Sequence, residues 1–265
     1  MIIDFHTHIF PEKIAKTTIE KLASKADMNA YTNGTLDGLK QSMIESHVDY
    51  SVVLPVVTKP EQFQSINTYA ASINRRDGII SFGGIHPDCS DIEEKLDLIC
   101  SLGLKGIKLH PDYQSVYIDD ERNICIIKEA CKRGLVVVIH GGIDIGMPDI
   151  VHCPPKRILH MLKEMDEFVD KKIIIAHTGG WSQWNDVEEM LVGEDVYFDV
   201  SFSVGMIPEE QLLRIIRNHG SKKIVFGTDS PWSGQNETIT YIQNLDLSMQ
   251  EKDNIFYQTA QKLLK

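Results

Sequence analysis

The sequence predicts an α/β fold in which eight parallel strands and their helices form a single (β/α)8 TIM barrel. Short β-branched apolar runs alternate with amphipathic stretches, mostly at the spacing of about thirty residues that one βα unit requires. Runs that are apolar throughout are typical of parallel strands buried on both faces. Polar residues follow nearly every run. Because an open sheet would gather its ligands at one crevice, polar residues around the whole set of strand ends favour a closed barrel.

The strand predictions are the apolar runs at residues 2–5, 50–57, 79–85, 106–109, 135–139, 173–176, 196–200 and 224–226. Helix-start signals follow some of these runs. Ser90 with Glu93, and Ser248 with Glu251, have the spacing of a capping box and predict two helix N-termini.

The stretch over residues 10–36 is longer than one connection between a strand and its helix requires. It predicts an extra helical segment after the first strand, with a helix over residues 13–26. Two interpretations of this segment stay open. It forms either a lid beside the strand ends or an additional packing element.

Composition bounds the class of protein and its partners. The chain of 265 residues has 42% hydrophobic and 25% charged residues, which is typical of a globular domain, and we expect one domain over residues 1–265. No apolar run approaches the ~20 residues of a membrane helix, and the first residues lack a basic leader. Five cysteines without a CxxC pair suit the cytoplasm. The net charge of −11 argues against nucleic-acid and membrane partners and leaves a small-molecule substrate. Barrels of this kind often dimerise, so a homodimer is one expected assembly.

Histidines and one aspartate mark the ends of several predicted strands. His6 and His8 are two positions apart on a strand, so both side chains point to the same face, as converging metal ligands do. Two unrelated histidines would give the same pattern. The metal interpretation gains its weight from His140, His177 and Asp229, which follow three other strands. A carboxylate with several imidazoles suits zinc, and also iron, manganese or cobalt.

This arrangement resembles the amidohydrolase superfamily, which has HxH after strand one, histidines after strands five and six, and aspartate after strand eight. The segments DFHTHIFP, GIKLHP, VIHGG, IIAHTGGW, FGTDSPW and YQTAQKLL resemble its amidohydrolase-2 branch from the first strand to the closing helix. That branch includes hydrolases and metal-dependent nonoxidative decarboxylases such as aminocarboxymuconate-semialdehyde decarboxylase. The resemblance implies a metal-dependent hydrolase of a small amide, lactone or ester that uses metal-activated water. The alternative is a nonoxidative decarboxylase of a small unsaturated or aromatic carboxylic acid. The longer chains of known decarboxylases favour the hydrolase.

The resemblance also implies roles for individual residues. His6, His8, His140 and Asp229 would hold one divalent transition metal, with zinc expected before manganese, iron or cobalt and a second metal left open. Asp229 would also move a proton of the activated water, although a helix N-cap is its structural alternative. His177 would act as an acid or base beside one ion, or bind a second ion.

Lys108 lies on the fourth predicted strand between apolar neighbours that point the opposite way, so it is expected to face the barrel interior with His110. A buried lysine is costly unless it is paired or modified. The resemblance implies either a carbamylated bridge between two metals or, as we favour, an unmodified lysine near the substrate. His110 is either a wall of the site or a structural hydrogen-bonding group. Trp181 and Trp232 either line a substrate pocket or only pack.

Asp4 and Asp199 are expected to orient ligands or loops.

Further functions fit parts of the same pattern. PHP-type phosphoesterases also begin with HxH, and TatD-like nucleases share the barrel, but the acidic charge and a lysine on strand four count against both. A barrel that binds metal only for stability does not explain an acid/base histidine beside a complete ligand set.

Overall fold

The computed structural model describes residues 1–169 and 171–265, and parallel strands alternate with helices along the chain. The strands are β1 (Ile3–Thr7), β2 (Tyr50–Val53), β3 (Ile79–Ser81), β4 (Gly83–Gly84), β5 (Gly106–Leu109), β6 (Val136–Ile139), β7 (Ile173–Ile175), β8 (Tyr197–Asp199) and β9 (Ile224–Val225). Every apolar run predicted to be a strand contains strand residues. The third run is divided, since it contributes both β3 and β4.

The helices lie between these strands and after the last of them. They are α1 (Glu12–Ala26), α2 (Leu36–Glu45), α3 (Phe63–Ile73), α4 (Ile92–Ser101), α5 (Pro111–Gln114), α6 (Glu121–Lys132), α7 (Pro155–Lys163), α8 (Trp184–Met190), α9 (Glu209–His219), α10 (Gln235–Asn244), α11 (Met249–Asp253) and α12 (Thr259–Leu264). In the described part of the chain, no helix has the length and apolarity that crossing a membrane requires.

The strands pair in parallel in the order β1-β2-β3 and β4 through β9. Phe82, between β3 and β4, donates its backbone N–H to Val53 at 3.0 Å. At the opposite edge, Phe5 donates to the carbonyl of Phe226 at 2.8 Å, and Asp229 donates to the carbonyl of His6 at 2.8 Å. Backbone hydrogen bonds thus connect β1 to the segment that contains and follows β9. The α/β barrel order predicted from the sequence is confirmed.

Asn67 of α3 explains why the third strand is divided. Its side-chain oxygen accepts from the backbone N–H of Gly84 at 3.0 Å, and its side-chain nitrogen donates to the carbonyl of Gly84 at 2.9 Å. A side chain at Gly84 would lie 2.8 Å from Val57 and 2.9 Å from the carbonyl of Pro55. The chain therefore bends through a polar contact with a helix.

Residues of each strand alternate between two apolar clusters. In β6, Val136 and Val138 pack with Phe5 and Ile174 inside the ring, whereas Val137 and Ile139 pack against the helices. This period of two is the expected result of strand geometry. It leaves the C-terminal ends of the strands free for polar residues.

Local predictions met different outcomes. The extra helix after the first strand is confirmed by α1, and the capping box of Ser248 with Glu251 is present at α11. The capping box predicted at Ser90 is wrong. Asp91 precedes α4 in a left-handed conformation (φ 55°) and makes no side-chain cap, so the helix begins one residue later than the pattern indicates.

Candidate metal and acid–base site

Side chains from different strand ends meet on one face of the barrel. His6 and His8 come from β1 and its end, and Lys108 comes from β5. The others follow or end later strands: His140, His177, Asp199 and Asp229. The residues on which the sequence prediction rested therefore lie on the same side of the fold, as parallel strands require.

His6, His8 and Asp229 form a compact group. The Nε2 atoms of His6 and His8 are 3.1 Å apart, and Asp229 Oδ1 lies 3.3 Å and 3.1 Å from them. His8 Nδ1 donates to the carbonyl of Leu54 at 2.8 Å, and His6 Nδ1 donates to Asp199 at 2.8 Å. Because both Nδ1 atoms carry the proton, both Nε2 lone pairs point at the carboxylate oxygen.

This group fits a divalent cation. Two lone pairs and a carboxylate oxygen within hydrogen-bond distance repel one another unless a positive charge lies between them. Burial, together with the charge of Lys108, lowers the pKa of His6 to about 3, so its ring is neutral at ordinary pH. Burial acts to raise the pKa of Asp229, but the neighbouring imidazoles lower it to about 2. Two imidazoles and one carboxylate leave coordination positions open for water and substrate.

His140, the fourth predicted ligand, lies beside this group with its ring turned toward other partners. Its Nδ1 is 3.0 Å from His177 Nε2, and its Nε2 is 3.7 Å from Asp112 Oδ2. Within the described residues, this buried Nε2 has no hydrogen-bond partner. One ring nitrogen of His140 lies within 4.8 Å of potential ligand atoms of His110 and Asp144. A role for His140 as metal ligand stays a prediction, with Nε2 as the free atom.

His177 is held in place by the segment after β8. Its Nδ1 lies 3.1 Å from the carbonyl of Ser201, which can only accept, so Nδ1 carries the proton and Nε2 faces His140. His177 and the following Thr178 have left-handed backbones (φ 61° and 54°), as has Asp229 (φ 67°). Such conformations persist only where surrounding contacts fix them, and they concentrate at functional sites. The arrangement agrees with an acid or base function for His177.

Asp199 connects the two histidines. One oxygen accepts from His6 Nδ1 at 2.8 Å, and the other accepts from the backbone N–H groups of His177 and Ser201 at 2.9 Å each. Burial would raise the pKa of this carboxyl, but the contact with His6 holds it well below its usual range. The predicted orienting role of Asp199 therefore has a geometric basis.

Asp4 fixes the seam between the first and last strands. It accepts from the hydroxyl of Thr228 at 2.6 Å, from the backbone of Thr228 at 3.0 Å and from Gln235 at 2.8 Å. Burial raises the pKa of Asp4 to about 7. Asp4 thereby positions the segment that presents Asp229, as an orienting residue should.

Lys108 points into the site, as its place on the strand predicts. It is 1% exposed, and its Nζ lies 3.2 Å from His6 Nε2. Burial lowers the pKa of Lys108 to about 8, although Asp199 and Asp229 act in the opposite direction. An ammonium group and a metal ion would address the same His6 lone pair, so cation binding requires Lys108 to give up this contact.

The three predicted pocket residues have different surroundings. His110 stacks on His140 with ring centroids 4.2 Å apart, and its role as a wall of the site stays a prediction. Trp181 donates its backbone N–H to the carbonyl of Gly141, and Trp232 donates to the carbonyl of Asp229. Both tryptophans are half-buried beside the site loops. Contact of Trp181 and Trp232 with substrate stays a prediction.

Sequence reasoning missed Asp112 and Asp144. Asp112 is fully buried, and its Oδ1 accepts from the backbone and the ring of His152. Asp144 lies 3.4 Å from His110 Nε2. Asp112 comes two residues after His110 and Asp144 four residues after His140, but such spacing in loops does not indicate where a side chain points.

Comparison with known families assigns the class of protein. The family model Amidohydro_2, described as amidohydrolase, matches residues 3–265, so the chain belongs to this amidohydrolase family. The resemblance inferred from the sequence motifs is confirmed. The protein is a metal-dependent enzyme of a family that contains hydrolases and decarboxylases. No curated protein matches the sequence.

Solved structures with this fold include hydrolase-family and decarboxylase chains. A TIM-barrel protein from Bordetella bronchiseptica aligns with a TM-score of 0.77 at 15% identity, over 99% of this chain and 98% of that chain. The 2,6-dihydroxybenzoate decarboxylase from Rhizobium aligns with a TM-score of 0.74 at 16% identity, over 99% and 98%. The 5-carboxyvanillate decarboxylase from Novosphingobium aromaticivorans, in complex with manganese, aligns with a TM-score of 0.75 at 14% identity, over 100% and 96%.

These similarities, all below 20% identity, show a common fold. They also remove one argument for the hydrolase. The alignment reaches over 98% of the Rhizobium decarboxylase, so chain length gives no reason to prefer hydrolysis to decarboxylation. The choice between the two depends on the chemistry of the site.

Proposed function

We propose that the protein is a metal-dependent hydrolase of a small amide, lactone or ester. The position of Asp229 is the observation that carries this proposal. Its Oδ1 lies 3.3 Å and 3.1 Å from the Nε2 atoms of His6 and His8, where it can both bind a cation and accept a proton from water beside that cation. Hydrolysis needs such a base before the bond to the leaving group breaks.

The proposed cofactor is one divalent transition metal held by His6, His8 and Asp229, with His140 as the fourth ligand. Imidazole and carboxylate donors favour zinc, while the manganese bound to the Novosphingobium decarboxylase makes manganese the second choice. When bound, such an ion lowers the pKa of water toward ~7 and polarises a carbonyl group. Whether a second ion binds is a question of stoichiometry, which metal analysis of the purified protein answers.

The residues around this centre supply the proton transfers. Asp229 accepts the proton of the attacking water. His177, whose Nδ1–H is held by the carbonyl of Ser201, has a lone pair on Nε2, so it can accept a proton there and then give that proton to the leaving group. Lys108, unmodified, is placed to interact with the substrate carbonyl once it releases His6. Each role follows from which ring atom or charge faces the centre.

Nonoxidative decarboxylation is the second candidate. Chains with the same fold decarboxylate 2,6-dihydroxybenzoate and 5-carboxyvanillate. The buried ammonium of Lys108 is also suited to the carboxylate of an acid substrate. In this reaction the site must donate a proton to carbon after carbon dioxide leaves, so Asp229 would have to receive and return a proton.

Product analysis separates the two functions. The metal-loaded protein is incubated with panels of small amides, esters and lactones and with hydroxybenzoic acids, and release of acid and of carbon dioxide is measured. Release of acid alone supports the hydrolase, and release of carbon dioxide alone replaces it by the decarboxylase. Asp229→Asn should abolish whichever activity is found.

Metal content tests the ligand assignment. His6→Ala and His140→Ala should each reduce the bound metal measured by elemental analysis after gel filtration. His160→Ala is the matched control, because the side chain of His160 is 60% exposed and pairs with Asp119 on the surface. If neither site variant loses metal relative to this control, the ligand assignment is wrong.

We further propose a cytoplasmic location, a small-molecule substrate and a homodimer. The five cysteines are free thiols, which suits a reducing compartment. Organisation of residues 1–265 as one domain also stays a prediction. Light scattering tests the dimer, and limited proteolysis tests the single domain, which should resist cleavage between its strands.

A further inference from the structure

His140 differs from the other histidines proposed to bind metal or transfer protons. Each of those three has one ring nitrogen against a fixed acceptor, at 2.8 Å, 2.8 Å and 3.1 Å: His6 on Asp199, His8 on Leu54 and His177 on Ser201. In the described part of the chain, the Nε2 atom of His140 has no hydrogen-bond partner. A histidine that binds metal nearly always donates its other N–H group to a carboxylate, a carbonyl group or water. A positioning group for His140 is therefore expected close to Nε2.

Asp112 offers an acceptor at this nitrogen. Its Oδ2 lies 3.7 Å from His140 Nε2, and among the described residues this oxygen also has no hydrogen-bond partner. Asp112 is 0% exposed and His140 is 5% exposed. Buried polar atoms are nearly always hydrogen-bonded, so two unsatisfied atoms this close are expected to be partners. The separation is longer than an N–H···O bond, as hydrogen bonds of active sites often are until the bound species is present.

The other contacts of Asp112 fix the direction of its carboxylate. Oδ1 accepts from the backbone N–H of His152 at 2.9 Å and lies 3.0 Å from the Nδ1 atom of that residue. Asp112 belongs to the short helix α5, which Gln114 ties to the barrel by donating to two carbonyls that follow β2 and β4, at 3.0 Å and 2.7 Å. These contacts leave Oδ2 turned toward His140 and hold it there.

The proton of His140 decides which of its nitrogens can bind a cation. His140 Nδ1 and His177 Nε2 are 3.0 Å apart, and the proton of His177 is on its other nitrogen. One positive group, a proton or a cation, must therefore lie between these two nitrogens. If it is the proton of His140, the Nε2 lone pair faces the Asp112 oxygen and both buried acceptors stay unsatisfied. If it is a cation, the proton of His140 is on Nε2 and satisfies both atoms.

We propose that Asp112 is a positioning residue of the metal centre, which accepts the Nε2–H of His140 and leaves the Nδ1 lone pair of His140 for the cation. This inference rests on the proposed metal site. It adds which atom of His140 is the ligand and which residue selects that atom. Asp112 acts through His140 alone, since carboxylates that accept from a histidine fix both the ring orientation and the position of its proton.

Nitrogen NMR of the histidine rings measures the position of this proton independently of turnover. Protein labelled with isotopic nitrogen in its histidines is loaded with zinc, which is diamagnetic. The signals of His140 are identified by their absence from the spectrum of His140→Gln. Zinc-loaded wild type should carry the proton of His140 on Nε2. A proton on Nδ1 in this spectrum overturns the inference.

Asp112→Asn removes the acceptor and keeps the contact with the neighbouring loop. The asparagine oxygen can still accept from His152, which turns the NH₂ group toward His140 Nε2. That nitrogen must then accept, so the proton of His140 is held on Nδ1 and opposes the cation. The dissociation constant for zinc, measured by competition with a fluorescent chelator, should rise by at least about tenfold.

Two control variants separate this role from a purely structural one. Asp149→Asn makes the same change at an exposed carboxylate and should retain the zinc affinity of wild type. His152→Ala removes the ring that contacts Asp112 Oδ1 but leaves Oδ2 facing His140, so the proton of His140 should stay on Nε2. If His152→Ala loses as much zinc affinity as Asp112→Asn, Asp112 only holds the loop and the inference is wrong.

The remaining outcomes are also decisive. Thermal unfolding shows whether Asp112→Asn folds, and if it does not, the wild-type spectrum decides. A folded Asp112→Asn protein with the proton position and zinc affinity of wild type overturns the inference. Wild type that binds no zinc overturns both the metal site and the inference. Failure of the hydrolase function alone is a different result, in which zinc binds with the His140 proton on Nε2 but no amide, ester or lactone is hydrolysed.

Discussion

Replacing Asp199 by asparagine should weaken metal binding without a change at any metal ligand. The carboxylate accepts from His6 on one oxygen and from the backbone N–H groups of His177 and Ser201 on the other. Asparagine has one acceptor oxygen and one donor group. If the oxygen faces the backbone, the new NH₂ group faces His6 Nδ1, and His6 must move its proton to Nε2 and lose the lone pair that would bind metal.

The magnitude follows from the charge-assisted hydrogen bond that the substitution removes. A hydrogen bond to a charged group contributes about 1.5–3 kcal/mol, which corresponds to roughly a 10- to 150-fold change in an equilibrium constant. Removal of a group that orients a metal ligand typically reduces metal affinity by about 10- to 100-fold. We therefore expect the zinc or manganese dissociation constant of Asp199→Asn to rise by at least about tenfold.

Competition with a fluorescent chelator measures this dissociation constant on metal-free protein. The control is Asp186→Asn, which changes an exposed carboxylate at the start of α8. Thermal unfolding of both variants shows whether the fold persists. A folded Asp199→Asn protein whose metal affinity equals that of the control would refute the proposed dependence of the His6 lone pair on Asp199.

Three further predictions concern stability. Burial lowers the pKa of His219 from 6.5 to about 4, so between these pH values the unfolded state binds more protons and the free energy of unfolding falls as the pH falls. His219→Gln should reduce the slope of the urea-measured free energy of unfolding against pH in this range by up to ~1.4 kcal/mol per pH unit, and an unchanged slope contradicts this prediction. Gly142→Ala should destabilise by about 2 kcal/mol or more in the same assay, since its Cβ would meet Trp181, and a neutral effect excludes that contact. Ser248→Ala should cost ~1 kcal/mol through loss of the α11 cap, whereas Ser90→Ala, the control without a cap, should not.

The barrel order and the convergence of the proposed metal ligands could be predicted because both depend on strand periodicity. Residues two apart on a strand must share a face, so His6 and His8 converge and Lys108 points inward whatever the loops do. Parallel strands then bring Asp229 to the same end of the barrel as the two histidines. The structure confirms this convergence at distances of 3.1–3.3 Å.

Features that depend on loop geometry could not be predicted in this way. The division of the third strand results from a side chain of another element, Asn67, which replaces a strand partner. The missed N-terminus of α4 results from a left-handed residue, Asp91, that interrupts the capping pattern. The partners of His140 and the position of Asp144 depend on the loop after β6, whose course follows from tertiary contacts. Local sequence carries little information about such contacts.

The seam between the first and last strands would link binding at the proposed metal site to the order of folding. Asp4 and Thr228, which hold the two sides of the seam together, are 224 positions apart. His6 and His8 therefore lack Asp229 until the last strand has docked, so a growing or partly folded chain does not have the complete set of proposed ligands. An ion that binds only the docked state stabilises that state in proportion to the logarithm of its concentration. A higher metal concentration would then increase the fraction of molecules in which the first and last strands are docked, in addition to its effect on catalysis.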